Sequence, residues 1–68
     1  MIRIDDVLSL LTEHEQAFVR HDLEAAWDDS NIFTVEAGVP LKEAPYMMVL
    51  EASVDCVNES VTIERSRA

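Results

Sequence analysis

Cysteine, glycine, proline and positive charge are all scarce in this chain. The single cysteine, Cys56, excludes a disulfide within the chain and suits a reducing cytoplasm better than a secreted, disulfide-stapled domain. The single glycine, Gly38, excludes a glycine-rich phosphate loop. Two histidines, His14 and His21, stand without a His-Glu-x-x-His run, a third histidine or paired cysteines, so neither a metal nor a cofactor is expected. No apolar run approaches the length of a membrane span: the longest after a proline is Tyr46 to Leu50. Met1-Ile2-Arg3-Ile4-Asp5-Asp6 turns acidic before any hydrophobic stretch develops, so no secretory segment is expected and the location inferred is cytoplasmic.

What is abundant is acid and apolar surface. The net charge is −9, with fourteen carboxylates against five Lys and Arg. Such a field repels DNA, RNA and anionic membranes and favours a basic partner. Nearly half of the residues, 49%, are apolar. A chain of 68 residues makes a single small domain, and one so short buries only about 60% of the surface that its unfolded form exposes. With disulfide and metal staples excluded, the surplus apolar surface points to another protein, or to a second copy as a homodimer.

The spacing predicts one long amphipathic helix from about Asp5 to Asp28. Ile4, Val7, Leu11, His14, Phe18, His21 and Ala25 recur at steps of three and four, as one helical stripe does. Asp5 and Asp6 suit its first turn, Asp22 allows a kink near His21, and Asp28-Asp29-Ser30-Asn31 ends it. Ile32-Phe33-Thr34-Val35 reads as a short extended segment, closed by Gly38. The last third fits two templates. As a helix, Met47, Leu50, Val54, Val57 and Val61 share a face. As strands, Tyr46, Met48, Leu50, Ala52, Val54 and Cys56 alternate with Glu51, Ser53 and Asp55, then turn at Val57–Ser60 into a strand from Val61 to Arg65.

The stretch Ile32-Phe33-Thr34-Val35-Glu36-Ala37-Gly38-Val39-Pro40-Leu41-Lys42-Glu43-Ala44, with Ala52-Ser53 and Cys56-Val57 beyond it, resembles the small bacterial domain-of-unknown-function family DUF3077. Members of that family carry a Phe-x-Val-x-x-Gly-Val/Ile core followed by an Ala-Ser-containing helix with a cysteine. The likeness covers about half of the chain, needs an indel, and has Pro45 where a leucine is expected. It implies a helical C-terminal segment and no known activity. The fold expected is therefore mostly α, a long N-terminal helix packed on a C-terminal helix through a short extended linker. The alternative is α+β, one helix on a small antiparallel sheet.

No catalytic residue stands out, and no enzyme is expected. Thiol activation needs a cation or a helix N-terminus, but the neighbours of Cys56 are Asp55 and Glu59. The chain is also too short to wall off a cleft around a carboxylate pair. Candidate interaction residues are Val7, Leu11, His14, Phe18 and His21 on the helical stripe, with Trp27 at its end and the adaptable Met47 and Met48. On that reading Phe18→Asp abolishes association or folding. The function expected is a small acidic regulatory or adaptor protein acting by protein–protein binding. Two alternatives stand beside it: a phage-type inhibitor whose acidic surface mimics nucleic acid, and a pH- or metal-responsive module built on His14 and His21.

Overall fold

The computed structural model describes residues 1–27, 31–43 and 45–67. In chain order these form α1 (Ile4–Leu8), α2 (Glu13–Trp27), β1 (Ile32–Pro40), β2 (Met47–Asp55) and β3 (Ser60–Arg67). The strands make one antiparallel sheet in the order β1-β2-β3. The mostly α expectation is thereby overturned, together with the C-terminal helix that the DUF3077 resemblance implies; the chain is α+β. Period-two burial decides the last third: Leu50, Ala52 and Val54 are buried, Met48 and Cys56 are half-buried, and all five share one face. A helix would have brought Val57 onto that face, but it lies in a turn and is 67% exposed.

The N-terminal helix is two helices. Thr12 starts α2 afresh through a capping box: the Glu15 N–H donates to Thr12 Oγ1 (3.1 Å) and the Thr12 N–H donates to Glu15 Oε1 (2.9 Å). The free carbonyls at the end of α1 find other donors. Ser9 Oγ donates to the Asp6 carbonyl, and Gln16 Nε2 donates to the carbonyls of Leu8 and Leu11. The break falls at Ser9–Thr12 rather than near His21, and it resets the helical phase. In α2 the buried positions are Glu15, Val19 and Leu23, not His14, Phe18 and His21. The expected helix end at Asp28, the turn residues Asp29 and Ser30, and Ala44 lie outside the described residues.

β1 is longer than the expected segment, and Gly38 lies inside it instead of closing it. The inner face of the sheet carries Phe33, Val35, Ala37 and Val39 from β1 and Val61 and Ile63 from β3, beside the β2 residues already named. α2 lies chiefly over β1. The α1 segment is tied to the β3 side at both ends: the Met1 amine pairs with Glu59 (2.8 Å), and the Leu10 carbonyl accepts from Arg65 Nη2 (3.4 Å). Val7, Leu8 and Leu11 complete the core between helices and sheet. No helix among the described residues is long and apolar enough to cross a membrane.

Candidate functional site

The helical stripe does not survive as a surface. Val7 and Leu11 are core residues, 0% and 6% exposed, and are closed to a partner. His14, Phe18 and His21 lie on the exposed side of α2. His14 and Phe18 meet edge to face, ring centroids 5.3 Å apart. Trp27 is half-buried against Phe33 in a similar contact, also at 5.3 Å. Met47 and Met48 part company: the strand turns Met47 outward, 42% exposed, and Met48 inward to the core. The eight candidates therefore form no single patch.

The register exposes other groups. The Leu41 N–H donates to the Tyr46 carbonyl (3.0 Å) and the Cys56 N–H to the Asn31 carbonyl (2.7 Å). These bonds fix the odd-numbered residues of β1 as those that bond to β2. The backbone N–H and C=O groups of Thr34, Glu36 and Gly38 consequently point away from β2, along a sheet edge that no strand among the described residues covers. Pro40 falls in the same outward series, where a missing N–H costs the ladder nothing. His14 Nε2 donates to the outward carbonyl of Pro40 at 2.6 Å and closes that end of the edge.

On the outer face two polar rows cross the sheet. Thr34 is opposite Ser53, which is opposite Thr62, and Thr34 Oγ1 and Ser53 Oγ are 3.2 Å apart. In the next row Glu36 is opposite Glu51, which is opposite Glu64. Strands are about 5 Å apart, so three carboxylates stand side by side, where like charges directly opposite destabilise a sheet. Among the described residues none of the three has an ion-pair partner.

Among the described residues one carboxylate is buried. Glu15, 5% exposed, accepts two bonds from Arg65, Nε to Oε2 at 2.7 Å and Nη2 to Oε1 at 2.9 Å. This fork holds the Glu15 carboxyl down at about 2, with the cap bonds from Thr12 adding to the effect and burial opposing it. Arg65 is raised in turn by the hydrogen bond from its side chain to Glu15. Beside the pair an open cleft of about 620 Å³ is lined by Glu13, His14, Val39, Leu41, Lys42 and Met48. Among the described residues no group of three or more His, Cys, Asp or Glu is arranged to hold a metal ion.

Sequence reasoning missed Glu15, although Thr12-Glu13-His14-Glu15 is the spacing of a capping box. It also missed the glutamate row, because cross-strand neighbours depend on register and leave no local signal. No protein-family model matches the chain, and neither does any curated protein or solved structure.

Proposed function

We propose that this protein is a non-catalytic binding module, a small regulatory or adaptor protein that takes an extended, basic segment of another protein onto the free edge of β1. The observation that carries this reading is that the row Glu36–Glu51–Glu64 ends at Glu36, beside the outward backbone groups of Thr34, Glu36 and Gly38. A strand added to this edge gains main-chain hydrogen bonds, and its side chains select the partner. An Arg or Lys opposite Glu36 places a cation at the end of a row of like charges, which removes a cost that the free protein bears. The acidic net charge draws such a segment in from a distance.

The same carboxylates bear on the nucleic-acid-mimic alternative. The row spans only about 10 Å from its first strand to its third, which suits one or two basic side chains better than a surface built to hold a duplex.

Calorimetric titration with extended Arg- and Lys-containing peptides tests the reading. Binding is expected to weaken steeply with salt and to be lost in Glu36→Pro, which removes both the carboxylate and an outward N–H. The preceding residue, Val35, is already extended as a proline requires, and the missing bond is not one that holds β1 to β2. Peptide affinity unchanged by Glu36→Pro in a folded variant sinks the proposal.

A further inference from the structure

The other free edge of the sheet belongs to β3, and apolar side chains remain uncovered beside it. α2 lies over β1, whereas Val61 and Ile63 on the inner face of β3 are only half-buried. Leu10, whose carbonyl accepts from Arg65, is 53% exposed. Because the even-numbered residues of β3 bond to β2, the N–H and C=O groups of Val61, Ile63, Arg65 and Arg67 point outward. Among the described residues no proline or capping side chain closes an end of this edge, as Pro40 and His14 close one end of the β1 edge.

We propose that a second copy of this chain occupies the edge, pairing β3 antiparallel to its partner's β3 about a two-fold axis through Ile63. A two-fold axis perpendicular to the sheet keeps the inner faces on one side, so odd residues oppose odd and even oppose even. Charge then selects the register. Centring on Glu64 sets Glu64 against itself, and centring on Arg65 sets Arg65 against itself. Centring on Thr62 avoids like charges but shortens the overlap. Centring on Ile63 uses the strand from Ser60 to Ser66 and opposes no like charges. Ile63 then meets the partner's Ile63, and Val61 lies beneath the aliphatic stem of the partner's Arg65.

The outer face supplies a second, polar complementarity. In this register Thr62 faces the partner's Glu64. The glutamate row Glu36–Glu51–Glu64 of each copy therefore runs into the hydroxyl row Thr34–Ser53–Thr62 of the other. The terminal carboxylate gains a hydroxyl donor instead of another charge. The edge of β1 stays free in both copies, so dimerisation is independent of the peptide-binding reading, and Glu36→Pro leaves it intact.

The test combines sedimentation with cysteine placement. Wild-type protein is expected to pass from monomer to dimer mass between micromolar and millimolar concentration. In a Cys56→Ser background, Ile63→Cys puts the new thiol opposite its own copy, about 5.5 Å between Cα atoms, within the range that a disulfide spans. Mild oxidation is expected to give covalent dimer with Ile63→Cys, and none with Ser60→Cys or Ser66→Cys alone, two exposed positions that face each other across the proposed axis. Mixing those last two variants restores the cross-link. Wild-type protein that stays monomeric at millimolar concentration overturns the proposal, as does a dimer in which the thiol at position 63 fails to cross-link.

Discussion

Glu15 and Arg65, fifty positions apart in the chain, face each other as a two-bond fork that pins the first turn of α2 to the C-terminal end of β3. The glutamate is at once the reciprocal partner of the Thr12 cap and the acceptor of the guanidinium, so one buried side chain starts a helix and holds it on the sheet.

That pair sets the response to acid. The carboxyl of Glu15 titrates at about 2 in the folded chain, below its ordinary value near 4.5. A depressed carboxyl contributes stability that is fully present above the unfolded value and is lost as pH falls toward the folded one. The contribution is on the order of 1–3 kcal/mol, because the half-exposed guanidinium of Arg65 is partly screened by water. The melting temperature is expected to fall steeply between pH 4.5 and 2. Glu15→Gln should lower it at pH 7 and flatten its decline in acid. An acid limb equally steep in Glu15→Gln would remove this assignment. Asp55, which accepts the N–H groups of Val57 and Asn58 in the β2–β3 turn, is lowered as well, by those bonds and that from the Asn58 side chain, and acts in the same direction.

The glutamate row trades stability for binding. Glu51 stands between two like charges, so Glu51→Gln is expected to stabilise the fold by up to about 1 kcal/mol, read as a rise in melting temperature. The same substitution should weaken capture of a basic peptide. A variant that gains stability and also binds as before would separate the row from the function.

Core and surface of α2 should respond in the opposite sense to the helical stripe read from the sequence. Leu23, fully buried, is expected to cost about 2–5 kcal/mol on truncation to alanine. Phe18, 39% exposed, should cost less than about 1 kcal/mol. Phe18→Asp is accordingly expected to leave the protein folded, and chemical denaturation of the variants gives the order directly.

The β2–β3 turn stores a small strain. Glu59 holds φ at 54°, in the left-handed region that favours glycine. Its ion pair with the Met1 amine is solvent-exposed and adds little. Glu59→Gly is expected to raise stability by about 1 kcal/mol. A loss of stability would show that the ion pair outweighs the strain.

Part of the fold was legible from local pattern. The alternation from Met48 to Cys56, the turn at Val57–Ser60 and the strand beyond it form one of the two templates that the sequence allowed. The capping box at Thr12 and Glu15 was equally present, but the stripe through His14, Phe18 and His21 masked it. That stripe was a coincidence of spacing across a break. Once four residues leave the helix, positions on either side no longer share a phase, and the second helix buries Val19 and Leu23 instead.

By itself, the chain's order of residues determined the acidic charge and offered period-two strands as one of two templates for the last third, because each is a property of composition or near neighbours. Only the folded sheet decided that Glu36, Glu51 and Glu64 stand in one line and that Arg65 reaches Glu15. Such contacts depend on strand register and on which helix covers which strand. Those are settled by how the apolar faces pack together, and a one-residue shift of any strand would erase them.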